Sequence, residues 1–321
     1  MMDARRQTGR MKAARTTIRR RHGARTRMPD KPLLILPPAP ARQAGLERLL
    51  TEESETRRAD LVQRFCVGLP HARDALAIAT EATTPIACAV IRRRGTVGVF
   101  GQLYTAPPHR GKGHCRRLTQ TLLSWFDMSG GKWLYAHTRV DLYERFLTHF
   151  GFAVLHRLPR EQDEYVMLLR RPAAAAPHPF ARLNGAFGTR RMTRADWPLV
   201  VALLNHYPGP DPRISPAESA LAAENAAFDL FAQQEAGAVE LIGLTAGKRL
   251  AAVASVALDR KGDRTHAMVI PHDRADAAAR EAIAEFARTQ SYTHVDYPFE
   301  SLVASASSPA PASPDEPPAP A

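Results

Sequence analysis

The chain has 321 residues, 45% of them hydrophobic, enough for packed cores and, by length, for two domains. No run approaches about 20 uninterrupted apolar residues and no apolar segment follows the basic N-terminus, so neither a transmembrane helix nor a secretory signal is expected. The net charge of +12 is concentrated: residues 1–28 hold nine Arg, one Lys and one Asp, or +9, leaving +3 on the remainder.

Residues 1–30 are Arg-rich without aliphatic periodicity, which predicts a disordered arm. A solvated tail, or an extension upstream of a start at Met28, is favoured over an arm for nucleic acid or an acidic membrane. Cys66, Cys88 and Cys115 lie in apolar or helical contexts without metal-ligand spacing. They read as reduced thiols of a cytoplasmic protein, and no metal is expected.

Pro32 to Ile35 reads as a short strand, and Ala41–Leu50 and Arg57–Phe65 carry helical spacing. The period then becomes that of strands at Ala75–Thr80, Ile86–Ile91 and Thr96–Thr105, an antiparallel meander. Pro107-Pro108 cannot donate to a ladder and ends the third strand. The loop Arg110-Gly111-Lys112-Gly113-His114-Cys115 follows, then a helix to about Met128 with Cys115, Leu118, Leu122, Trp125 and Phe126 on one stripe. Gly111 and Gly113 lack a Cβ, so their N–H groups can approach a ligand closely. A helix start adds unpaired N–H groups and the positive end of the macrodipole, and Arg110, Lys112, Arg116 and Arg117 add full charges. The sum is a site for a phosphate or pyrophosphate; the alternative is a solvated basic turn. No strand-coupled G-x-G-x-x-G is present, and Lys112 is followed by Gly113 rather than by the Ser or Thr of a Walker loop.

Lys132–Thr138 reads as the next strand, with Trp133, Tyr135 and His137 on one face and Leu134, Ala136 and Thr138 on the other. Asp141–Phe150 is predicted as a short helix stopped by Gly151, and Phe152–Arg157 with Glu164–Arg170 as a closing hairpin. Residues 172–185, rich in Ala and Pro, read as a linker. The second half opens at Arg190, with a helix carrying Leu199, Val200, Leu203 and Leu204, and another from Pro216 to Phe231. Strands follow at Val239–Thr245, Leu250–Leu258 and Thr265–Ile270, a helix at Asp276–Arg288 and a last strand at Thr293–Tyr297. This repeats the first half's order without its final helix and hairpin, and reads as a truncated second copy or as an unrelated α+β domain. Its loop, Pro271 to Asp276, has no glycine, and Asp273 and Asp276 would repel a phosphate. The Ala, Pro and Ser residues from Val303 onward predict a disordered tail.

The run from Leu103 to Leu118 resembles the acetyl-CoA motif of the GNAT family of N-acetyltransferases: a strand ending in Leu-Tyr-Val or similar, a Pro, then Arg/Gln-x-x-Gly-x-Gly/Ala opening a helix. Arg110, Gly111, Lys112 and Gly113 match it, while Cys115 stands where the family prefers Gly or Ala. In element order the resemblance extends from about Leu33 to Arg170. It implies an α+β fold, an α/β/α sandwich with a mixed, mostly antiparallel central sheet flanked by helices, here in two copies with the second truncated. The implied domains are an arm at 1–30, an acetyl-CoA-binding domain at 31–171, a linker at 172–185, a degenerate domain at 186–300 and a tail at 301–321.

The implied activity is acetyl transfer from acetyl-CoA to an amine of a small molecule or peptide. By the resemblance, Leu103 and Thr105, with Tyr104 between them, meet the pantetheine, and the N–H groups of Gly111 to Cys115, His114 included, take the pyrophosphate. Many relatives carry a Tyr acid four residues before a Gly-Phe pair; here that position before Gly151-Phe152 is Leu147, and Tyr143 lies one turn earlier as acid or as packing residue. Strand four often supplies a Glu base, and here it has only Gln102. His137 is the base candidate, or a structural histidine. An N-acyltransferase and a non-catalytic acyl-CoA-binding or regulatory protein both remain open, with nucleic-acid binding third.

Overall fold

The structure is a computed structural model and describes residues 31–158, 165–170, 186–206, 216–247, 249–259, 261, 264–271 and 277–290. The arm, the linker, the Asp273–Asp276 loop, the strand expected at Thr293–Tyr297 and the tail lie outside the described residues.

The first half begins with β1 (Leu33–Ile35), α1 (Gln43–Leu49) and α2 (Glu55–Val62). The meander is β2 (Ala75–Glu81), β3 (Thr84–Arg94) and β4 (Val97–Thr105), followed by α3 (His114–Met128) and β5 (Trp133–Arg139). After α4 (Val140–Arg145) come β6 (Phe152–Leu158) and β7 (Tyr165–Arg170). The helix expected over Asp141–Phe150 is broken at Phe146 (φ −135°), and a 3₁₀ turn, Leu147–Phe150, completes it. The sheet runs β1-β2-β3-β4-β5-β7-β6, antiparallel except for the parallel β4–β5 pair.

On one face of this sheet, Ala75, Ala77, Ala87 and Ala89 leave room for α3, whose Leu118, Leu122 and Phe126 are buried there with Leu134 and Ala136. A Cβ on Gly98 would come within 2.6 Å of the Phe126 ring, so that close approach needs glycine. On the other face, Leu46, Leu50, Leu61 and Phe65 from α1, α2 and the turn after it pack on Leu76, Ile78, Cys88 and Val90.

The second half comprises β8 (Phe187–Arg191), α5 (Trp197–Asn205), α6 (Pro216–Glu235), β9 (Val239–Ala246), β10 (Arg249–Leu258), β11 (Arg264–Pro271) and α7 (Ala277–Gln290). These strands form an antiparallel sheet in the order β11-β10-β9-β8. β8 was not expected: Phe-Gly-Thr-Arg-Arg carries no apolar alternation, and it forms an edge strand on β9 alone. Ile283 and Phe286 of α7 cover one face of this sheet, against Leu244, Ala254 and Val256.

The two halves share a core. Val97, Val99, Trp133 and Tyr135 of the first sheet, Trp197, Val200, Val201 and Leu203 of α5, Phe231 of α6, and Leu241 and Val253 of the second sheet form one buried cluster. Beside it lies a lattice of buried charges. Asp60 accepts from Arg64 Nε (3.1 Å), Arg92 Nη2 (3.2 Å) and, from the second half, Arg194 Nε (2.9 Å). Arg64 also donates to the Arg194 carbonyl (3.0 Å), and Asp196 takes Arg190 and, across the halves, Arg94 (2.9 Å).

This lattice sets an acid limit. Burial alone would raise the Asp60 carboxyl, but Arg92, Arg64 and Arg194 outweigh it and hold it below its ordinary 3.8. Burial likewise opposes ionisation of Asp196, and Arg190 with the Thr193 N–H hold it low. A carboxylate depressed in the folded state stabilises above its unfolded value and loses that stability as pH falls through the folded value. Melting temperature should therefore fall steeply below about pH 4. Asp74, raised by its burial despite Arg64 and the Arg93 N–H, opposes part of this limb. Asp60→Asn should lower the melting point at pH 7, by stranding buried guanidiniums, and should flatten the acid limb; an unchanged pH profile would contradict the assignment.

Candidate functional site

The site begins where β4 leaves β5. The parallel ladder has four rungs, from Val97–Trp133 to Phe100–Ala136, and then ends, although β4 continues to Thr105 and β5 to Arg139. Beyond that point β5 pairs with β7, and β4 pairs with β3. The β3–β4 register slips between Cys88 and Val90, opposite Gln102, a non-glycine residue at φ +51°. This is a bulge, and it bends β4 away from its neighbour. Burial pushes the Cys88 thiol up to about 12, so it stays protonated and donates to the Gln102 carbonyl at 3.7 Å.

The bulge fixes which groups face the gap. The Ala106 N–H donates to the Ile86 carbonyl at 2.9 Å. Alternation along the ladder then turns the backbone of Tyr104, paired with Cys88, to β3, and the backbone groups of Leu103 and Thr105 to the open side. The Leu103 side chain packs toward α3 and that of Tyr104 toward α1 and α2. The Thr105 carbonyl accepts from Arg110 Nε at 3.0 Å, so this arginine folds back on the strand end.

The loop has the geometry that its glycines allow. Gly111 and Gly113 sit at φ +75° and +74°, and an added Cβ on Gly111 would meet nothing within 4 Å. Gly113 opens α3 without a side-chain cap, and the first turn holds no acid. The first bond into the helix runs from the Arg117 N–H to the Gly113 carbonyl, so the N–H groups just before it point out of the helix end. Lys112 and Arg116 are exposed beside them. The Cys115 sulfur lies 3.3 Å from Thr105 Oγ1 and ties the helix start to the strand end. Burial, then Arg117, lower the His114 pKa, so its ring is neutral and Nδ1 accepts from Arg117 Nη2 at 3.1 Å.

The two candidates for proton transfer lie on the far side of the gap. Tyr143 is on α4, and its side chain lies outside the described residues. His137 is on β5, one residue past the last β4–β5 rung, and its Nδ1 lies 3.0 Å from Glu224 Oε1 of α6. Glu224 was not singled out from the sequence: it is one of several acids in an Ala-rich helix, and only the packing of the halves sets it apart. Among the described residues no group of three or more His, Cys, Asp or Glu could hold a metal ion, and no helix is long and apolar enough to cross a membrane.

Residues 42–152 match the family model of the Acetyltransferase (GNAT) family. No curated protein matches the chain. Among solved structures, the chain is similar to the GNAT family N-acetyltransferase YhbS from Escherichia coli in complex with CoA (18% identity, 44% of this chain and 81% of that one, TM-score 0.35). It is also similar to the ribosomal-protein-S18-alanine N-acetyltransferase from Escherichia coli (10% identity, 46% and 98%, TM-score 0.37) and to Escherichia coli ElaA (14% identity, 44% and 98%, TM-score 0.36).

Proposed function

We propose that residues 31–171 form an acetyl-CoA-binding domain that transfers the acetyl group to an amine of a small molecule or peptide. The observation that carries this is the gap between β4 and β5, which opens beyond the Phe100–Ala136 rung and leads along β4 to the glycine-opened start of α3. The family match over residues 42–152 supports it. Leu103 and Thr105 border the slot for the pantetheine arm, with Tyr104 fixing β4 to β3. The N–H groups from Gly111 through His114 to Cys115, with Arg110 and Lys112 nearby, hold the pyrophosphate. Acetyl-CoA supplies the acyl group: the new C–N bond forms as the C–S bond breaks, and the sulfur leaves with a proton.

For that proton we propose Tyr143, from its place on α4, and for the proton of the attacking amine His137. The second half we read as a truncated copy of the same fold, residues 186–300, that does not bind CoA. Its order of strand, two helices, three strands and helix, with sequential antiparallel neighbours, repeats that of β1 to α3. Gln102, in place of a strand-four acid, and Leu147, in place of a Tyr, favour the second reading, a protein that binds acyl-CoA without transferring it.

Calorimetry with CoA should give one site per chain, and two would contradict the reading of the second half. Thiol release from acetyl-CoA should then be screened against polyamines, aminoglycosides, lysine peptides and peptides with free N-termini. Tyr143→Phe should lower kcat on the active amine by roughly 10²-fold with little change in KM for acetyl-CoA, because the hydroxyl acts as charge develops on sulfur. CoA binding without transfer to any amine would establish the binding-protein reading instead.

A further inference from the structure

His137 and Glu224 come from different halves of the chain, 87 positions apart, and meet at hydrogen-bond distance, Nδ1 to Oε1 3.0 Å. Both are largely enclosed, with side-chain exposures of 14% and 25%. The other imidazole nitrogen, Nε2, is buried, and no described residue bonds to it. A buried polar atom left without a partner costs free energy, so its presence beside the β4–β5 gap needs a reason.

The chemistry of the pair fixes the tautomer. An ionised carboxylate can only accept, so Nδ1 must carry the hydrogen, and Nε2 of the neutral ring must carry the lone pair. Burial alone would raise the Glu224 carboxyl, but His137, Arg92 and Arg57 outweigh it and keep it ionised at neutral pH. Arg92 comes from β3 and Arg57 from α2; on the same face of β5, the Tyr135 hydroxyl is paired with His206 Nε2 at 2.9 Å. Opposite His137, the next step along β4 is Gly101, where an added Cβ would meet nothing within 4 Å. β4 therefore presents no side chain opposite the imidazole.

We propose that Glu224 is a positioning residue: from the second half, it holds His137 in the tautomer with a bare Nε2 and stabilises the imidazolium, so that the base of the first half's site is complete only when α6 is docked. This rests on the reading of the gap as an acetyl-transfer site. In the step, Nε2 takes the proton that the attacking amine nitrogen loses as its lone pair forms the C–N bond. The C–S electron pair leaves on sulfur, which gains a proton from the acid, and the imidazolium returns its proton to solvent.

The test compares the parent with Glu224→Gln and Glu224→Asp in the full chain. Ring-nitrogen NMR of His137, assigned by its loss in His137→Ala, should show the Nδ1–H tautomer in the parent, a larger share of the Nε2–H tautomer in Glu224→Gln, and less of that change in Glu224→Asp. On the amine found active, kcat/KM at pH 7 should fall by about 10²-fold in Glu224→Gln, the scale of one positioned base, with partial recovery in Glu224→Asp. Calorimetric CoA affinity should be unchanged, which separates this effect from unfolding or loss of the cofactor site. A His137 tautomer ratio in Glu224→Gln that matches the parent's overturns the pairing, and unchanged kcat/KM overturns the positioning role. If the parent binds CoA but acetylates no amine, the transfer reading falls and the base role with it; the NMR tautomer ratio then still decides the pairing itself.

Discussion

Gly113→Asp should abolish CoA binding while leaving the fold intact. Gly113 is at φ +74°, where glycine is unstrained and Asp is among the side chains that tolerate the conformation best. A Cβ there would lie 3.5 Å from Arg117 Nη1, an ordinary contact with the end of a long side chain. The carboxylate would sit at the start of α3, where the macrodipole and the unpaired N–H groups favour a negative charge. Those are the same groups that would receive the pyrophosphate. The new side chain caps the helix, pairs with Arg117, and repels the ligand. The melting temperature should therefore hold or rise, while the dissociation constant for CoA rises by at least about 100-fold, or roughly 2.7 kcal/mol. A variant that binds CoA as tightly as the parent would show that the phosphate sits elsewhere.

The phosphate loop could be read directly because its signal is local. Gly111 and Gly113 take the left-handed conformations that only glycine takes freely, and Pro107-Pro108 end the strand on which the loop rests. The alternation of Trp133 and Tyr135 against Leu134 and Ala136 survives in the two cores that β5 divides. What the sequence concealed depends on tertiary contact. The bulge falls on Gln102, a residue with no intrinsic preference for φ +51°, so nothing in the run Gly101-Gln102-Leu103 marks where β4 bends. Asp60 and Arg64 look like an exposed i, i+4 pair of an amphipathic helix, yet they are buried because Arg194 of the second half closes over them. β8 passes for a loop because the partner of its Arg190, Asp196, lies on the far side of a turn. Glu224 is the extreme case, since its partner His137 belongs to the other half of the chain.

Trp197→Ala should destabilise both halves together. Trp197 is the first residue of α5, 3% exposed, and is buried in the cluster that spans the two sheets. The guanidinium carbons of Arg92 and Arg64 lie 4.8 Å and 5.7 Å from its ring centroid. Truncation removes the apolar contacts of one of the two tryptophans of the shared core and leaves a cavity, at a cost of about 3–5 kcal/mol. It also removes the aromatic face from two buried cations, each contact contributing up to about 2 kcal/mol when desolvated. Against a total stability of roughly 5–15 kcal/mol, this is a large fraction. For a chain of this size the melting point should fall by roughly 6–20 °C, because each kcal/mol is worth about 2–4 °C. Trp197→Phe keeps an aromatic face and drops an indole N–H that no described residue accepts, so it should cost less than half as much. Because β4, β5, α5, α6 and the second sheet share this cluster, the Ala variant should still unfold in one calorimetric transition, displaced as a whole. Two transitions, with one left at the parent's temperature, would show that the first half stands without the second, and that the contact between His137 and Glu224 can be broken while the CoA loop stays folded.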